Sequence, residues 1–415
     1  MGRFKLIRTK LSRLFPNASL VILLRLMILA VNLVTSSILA RMLDYRGRSD
    51  VAVLVATVGI SITLTTSVIG EEILRRKYHS AKELESEKVR LSPSTLVLVY
   101  SVMVLWMLNF TEISLNFMFS SLFVLYMVLA TANGILISEH LCIHGILKMQ
   151  ILQFVHQSSI FMGSFSIFIL VSSSAQNWLI AVIVSEFLTL FLLVRKRRNV
   201  THLFRFQLSS CFETLRILDR EELLERLSVY LGAMLIPAIV LILVTQNSNA
   251  SLTSKFVIAI SISTLVYLPL GAFFPLFISE ANRYKLAVDR IGIREIIFIL
   301  SLLLMYLAGL NILFQFLIPI LYGDKYEDLV KESLVIIFSG CLLGCVTAIS
   351  AHLRGLRDFF GGFCAVAISM LVFTSLIMFL PDTMLTLRLS LQFLILGLAM
   401  GVCFGAFRAL VKRIS

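Results

Sequence analysis

Apolar runs recur along most of the chain, with short polar breaks between them. A run of about 20 such residues crosses the hydrocarbon core of a bilayer as a helix. A window of that length predicts twelve spans. They lie near residues 18–41, 51–70, 94–110, 115–137, 151–172, 177–194, 227–245, 256–279, 296–320, 333–352, 359–380 and 387–408. Ahead of them stands MGRFKLIRTKLSRLFP. In this basic stretch Phe4, Ile7, Leu11 and Leu14 follow helical spacing, which predicts a short interfacial helix ending at Pro16. The apolar run after it is too long for a signal-peptide core, so it is expected to remain as the first span.

Composition agrees with this pattern. Of 415 residues, 58% are hydrophobic and 15% charged, whereas soluble chains have about 45–50% apolar and about 25% charged residues. The expectation is an all-α, multi-pass integral membrane protein. In a soluble chain a net charge of +13 would point to nucleic acid. Here its distribution decides otherwise. With the N-terminus placed in the cytoplasm, 29 of the 37 Lys+Arg fall on inner segments. Seven fall on the outer side: Arg41, Arg46, Arg48, Lys255, Lys325, Lys331 and Arg388. Arg25 is the remaining one. This bias predicts that both termini are cytoplasmic. The net charge then reflects orientation and attraction to anionic membrane lipid, with no nucleic-acid partner.

The longest inner loop, 195–226, begins RKRRN and ends DREELLER. Six spans precede it and six follow. An even number per half sets both halves the same way up, as in parallel repeats related by a pseudo-two-fold axis along the membrane normal. VIGEEILRRKY (68–78) and LFISEANRYK (276–285) echo one another at the exits of the second and eighth spans. The predicted organisation is an amphipathic segment (1–17), a first lobe (18–194), an inter-lobe loop (195–226), a second lobe (227–408) and a cytoplasmic tail (409–415).

Several chemistries lack their residues. The outer loops are short, which argues against a glycan polymerase or acyltransferase with outer catalytic groups. No G-x-x-x-x-G-K-[ST] pattern is present, so direct ATP use is not expected. The six cysteines lie mostly in apolar runs without a CxxC, and the six histidines have no acidic partner at fixed spacing. No metal or other cofactor is predicted, apart from a coupling ion. A two-lobed bundle with a few polar residues inside it reads as a secondary transporter rather than an enzyme.

Two stretches carry a family resemblance. SSILARMLDYRGRSDVAVLVATVGI (36–60) holds a helix ending in Ala-Arg, a short turn and a second helix. LIPILYGDKYEDLVKESLVIIFSGCLLGCVTAISAHLRGLRDFFGG (317–362) holds Leu-Tyr-Gly, a charged turn, an apolar helix and an exit Leu-Arg-Gly-Leu. GAFFPLFISEANR (271–283), with Pro275, is similar as well. The chain resembles the polysaccharide (O-unit) flippases of the multidrug/oligosaccharidyl-lipid/polysaccharide exporter superfamily. In the first turn Asp44-Tyr45-Arg46-Gly47 departs from the family's usual Gly-Pro and Tyr-Gly. The resemblance implies a V-shaped, alternating-access transporter in the bacterial cytoplasmic membrane. It would flip an undecaprenyl-pyrophosphate-linked oligosaccharide of O-antigen, capsule or exopolysaccharide to the outer leaflet. Its partners would be that anionic lipid, membrane lipids and other membrane proteins of glycan assembly. A multidrug exporter of the same superfamily is the alternative.

The candidate residues are the polar ones within or bordering the spans. Arg25 lies in VILLRLMILAVNLV, where a charge is costly unless it faces a polar cavity or snorkels to the headgroups. Its planar fork suits phosphate. Asn32, on nearly the same helical face, and Arg41, at the outer end, extend it as a polar track along one helix. Lys255 and Arg388 start the eighth and twelfth spans from the outer side, as substrate contacts or interfacial anchors. Glu186 is the one clear mid-span acid, read as an ion-coupling site or a structural pair. Gly397/Gly401/Gly405 and Gly340/Gly344 have the i,i+4 spacing of close helix packing.

Overall fold

The computed structural model describes residues 18–62, 117–144, 146–171, 173–194, 238–240, 243, 249–281, 293–356, 358–381 and 384–414. These residues form helices and turns, with no strand among them. In chain order the helices are α1 (Ala18–Met42), α2 (Tyr45–Ile62), α3 (Phe117–His144), α4 (Ile146–Leu170), α5 (Ala175–Val194), α6 (Ala250–Ala281) and α7 (Ile293–Tyr322). A 3₁₀ turn (Asp324–Tyr326) and the single-turn α8 (Asp328–Lys331) lead to α9 (Ser333–Gly355), α10 (Phe359–Met378) and α11 (Leu387–Ile414). Helices α5, α7, α9, α10 and α11 each contain a stretch long and apolar enough to cross a membrane. The amphipathic segment 1–17, the third span and the loop 195–226 lie outside the described residues, as does most of the seventh span.

Polar caps set the boundaries that hydropathy misses. The second span was expected from residue 51, but α2 starts at Tyr45. Asp44 makes the difference: its carboxylate accepts from Gly47 N at 2.7 Å and satisfies a first-turn donor. Asn249 caps α6 in the same way, accepting from Ser251 N and Leu252 N, so this helix starts at Ala250 rather than 256. The inner loop expected at 138–150 is helical up to His144 and again from Ile146. At the other end of the chain α11 continues to Ile414, through most of the stretch read as a tail.

The two halves pack by the same rules. Helices α3, α4 and α5 pack on one another, and so do α9, α10 and α11; α2 lies on α3 as α6 lies on α9. Counted by span, the second repeats as the eighth, and the fourth to sixth as the tenth to twelfth. The predicted glycine seams are real close approaches. A Cβ on Gly340 of α9 would stand 2.8 Å from Val266 Cβ and overlap the Ser263 carbonyl of α6. One on Gly401 of α11 would overlap the Ala365 carbonyl and Ser369 hydroxyl of α10.

Two large hydrophobic cores result, with a small third cluster of Leu136, Ile137 and Leu193 beside them. One gathers Leu39, Leu43, Phe123, Met127, Leu179 and Val240. The other gathers Ala40, Ile239, Phe256, Phe314, Ile336 and Leu391. The halves meet where α2 runs along α6 and where α1 crosses the end of α7.

Candidate functional site

Helix α1 shows two kinds of exposed face. Leu23, Met27, Ala30 and Val34 form an exposed apolar stripe. Asn32 is exposed too, yet at 100° per residue it lies on the opposite side of the helix. Arg25, seven residues earlier, is in register with Asn32; its side chain is outside the described ones. Helix α1 contains no Asp or Glu. Arg41 turns away from this face, so the track ends at Asn32. Its guanidinium donates from Nε to the Leu321 carbonyl at 2.8 Å, and from Nη2 to the carbonyls of Ile320 and Pro319. These are the last carbonyls of α7, where a helix has unpaired acceptors and partial negative charge.

Around Arg41 the two halves are stapled together. Ser37 Oγ donates to the Leu321 carbonyl. Tyr45 Oη donates to the Lys325 carbonyl and Lys325 Nζ to the Leu43 carbonyl, both at 2.8 Å. The Lys325 ammonium also lies 5.3 Å from the Tyr326 ring centroid. Burial pushes the Lys325 amine below its ordinary pKa. The turn around Gly323, with φ at 79°, presents this surface. Behind it Arg48 is buried, with Nη2 donating to Ser36 Oγ at 2.8 Å.

Lys255 and Arg388 come together on the rim of an open cavity of about 340 Å³, also lined by Asn249, Asp328, Glu332 and Thr386. Each faces an acid. Lys255 Nζ is 2.6 Å from Asp328 Oδ2, and Arg388 Nε is 3.9 Å from Glu332 Oε2. The Lys255 hydrogen bond holds the Asp328 carboxyl below the usual carboxylate range. Lys255 is hydrogen-bonded to its acid, whereas the Arg388 side chain remains 67% exposed.

Glu186 sits inside the first half, 2% exposed. Asn133 of α3 donates through Nδ2 to its Oε2 at 2.6 Å and to its carbonyl at 2.8 Å. His156 Nε2 of α4 stands 3.1 Å from the same Oε2. Three successive helices thus bring an acid, an imidazole and an amide to one buried point. Sequence reasoning found only the acid, since neither partner is near it in sequence. The available signal was a polar residue inside each of three successive apolar spans.

No family model and no curated protein sequence matches the chain. Solved structures match along nearly its whole length. A MATE transporter in complex with MaD3S superposes with a TM-score of 0.57 at 14% identity, over 97% of this chain and 96% of that one. An outward-facing multidrug resistance MATE family transporter of the MOP superfamily gives 0.55 at 14% identity, over 97% and 96%. This chain has the MATE transporter fold. The eukaryotic MATE transporter AtDTX14 extends the likeness, with a TM-score of 0.54 at 12% identity over 98% of this chain and 96% of that one. Coverage of nearly the whole of both chains means that the MATE fold is matched as a whole and not in one half only. Within it the candidate residues occupy four places: the open face of α1, the stapled junction of the halves, the cavity rim with Lys255 and Arg388, and the buried acid of α5.

Proposed function

We propose that the chain is a secondary transporter working by alternating access. It carries an undecaprenyl-pyrophosphate-linked oligosaccharide from the inner to the outer leaflet of the bacterial cytoplasmic membrane, with both termini cytoplasmic. One observation carries the substrate class. The face of α1 opposite its apolar stripe is open at Asn32, has Arg25 in register and holds no carboxylate. A guanidinium in a wet cavity suits a pyrophosphate and repels an organic cation. The Glu186–His156–Asn133 cluster is the proposed coupling site, because a buried carboxylate beside an imidazole can exchange a proton or hold a cation.

The test is replacement of Arg25. Losing a charge-assisted hydrogen bond to an ionic partner costs about 1.5–3 kcal/mol, or roughly ten- to a hundredfold in affinity. In a complementation assay for surface glycan, Arg25→Ala should nearly abolish export and Arg25→Lys should keep part of it, because charge survives without the bidentate fork. Full export by Arg25→Ala, at normal membrane level, would sink the reading. The second reading is a multidrug exporter, favoured by the matched multidrug resistance MATE structure. It predicts resistance to organic cations that improves when Arg25 is neutralised.

A further inference from the structure

Arg48 is 4% exposed and Tyr322 1% exposed, at the junction of the halves. Burying a guanidinium is strongly unfavourable unless an anion or enough acceptors accompany it. Among the described residues no carboxylate pairs with Arg48, and its one hydrogen bond goes to Ser36 Oγ. Arg48 Nε is buried without a hydrogen-bond partner among the described residues. Arg48 and the Tyr322 hydroxyl lie close enough to feel one another electrostatically, and the Ser36 hydroxyl is the hydrogen-bonding neighbour of both. An unused guanidinium donor, a buried phenol and a positive charge therefore converge where α1, α2 and the end of α7 meet. Asp44, the nearby acid, is turned outward to cap α2.

We infer that this junction is an anion site in which Arg48, Tyr322 and Ser36 take a phosphoryl oxyanion of the transported headgroup. The assignment to cargo rests on the anionic-substrate reading above. A donor-only guanidinium fork with a phenol beside it matches phosphate oxygens and offers little to a neutral sugar. The site combines residues of both halves: Arg48 and Ser36 from the first, Tyr322 from the second. Arg41 and Lys325 bond across the same junction. An anion held by residues of both halves favours the joined arrangement.

The test is equilibrium binding to the full-length protein in detergent, using sodium pyrophosphate and farnesyl pyrophosphate as probes. Both should bind, farnesyl pyrophosphate the tighter. Arg48→Ala should weaken binding by about ten- to a hundredfold. Tyr322→Phe keeps the ring and the fold while removing one donor, and should weaken it by about three- to tenfold. No pyrophosphate binding, or equal affinity in all three proteins, would overturn the site. Displacement of farnesyl pyrophosphate by phosphatidylglycerol at matched concentration would overturn its assignment to the transported headgroup. Arg48-dependent binding in a protein that exports no glycan would uphold the site while defeating the transport reading.

Discussion

Arg41 separates two ideas about this end of the molecule. As a substrate contact it would matter only with cargo present. As a clasp on the last carbonyls of α7 it should hold the halves together with no cargo at all. Its two short hydrogen bonds go to the Leu321 and Ile320 carbonyls. Because the side chain is exposed, each bond is discounted to about 0.5–1 kcal/mol. The α7 C-terminus adds about 0.5 kcal/mol through its partial charge. Arg41→Ala should then weaken the joined state by about 1.5–2.5 kcal/mol, roughly a ten- to seventyfold shift toward the parted one. Ser37, 7% exposed and bonded across the junction, supplies the reporter. In a cysteine-free background with Ser37→Cys, maleimide alkylation should speed up by about that factor when Arg41→Ala is added, without any substrate. Arg41→Lys should fall between the two. An alkylation rate unchanged by Arg41→Ala would refute the clasp.

Three further outcomes are expected. Cysteines placed at 42–50 or 246–254 should react with an impermeant reagent in intact cells and those at 195–226 should not; labelling of that loop would reverse the orientation. Glu186→Gln should lower export and flatten its pH dependence at normal protein level, whereas a fall in protein level alone would mark the acid as structural. Gly401→Ala should destabilise the detergent-solubilised protein by about 1–3 kcal/mol through overpacking against α10. Gly309→Ala, which meets nothing within 4 Å, should be neutral or stabilising by about 0.5–1 kcal/mol, as read from thermal unfolding.

Hydropathy carried the architecture because bilayer thickness imposes a length that a window can detect. It failed where polar residues are helical. Residues 45–50 read as a loop until Asp44 is seen to cap them, and 138–150 carry too little apolar signal to show two helices nearly meeting. The site was legible only in part. Glu186 stood out as a lone acid, but Asn133 is 53 residues away in sequence, and no spacing rule links them. Arg48 was hidden among seven outer cations, since burial distinguishes it from Arg46 and sequence does not. Lys255 and Arg388 were visible as charges, but their acidic partners Asp328 and Glu332 were not.

Adjacent residues feed different cores at several points along the chain, among them Val257 between Phe256 and Ile258. Leu39 belongs to one core and Ala40 to the other. Ile239 and Val240 divide in the same manner, in reverse order. A fully buried methyl at Ala40 thus acts as a shim whose thickness gauges how near the two bundles can come. Where a side chain touches one bundle alone, a substitution is judged by that bundle, which is free to drift by compensating within itself. At these positions any change is judged by both at once. The halves can therefore diverge almost independently in sequence while remaining interlocked through a handful of small side chains.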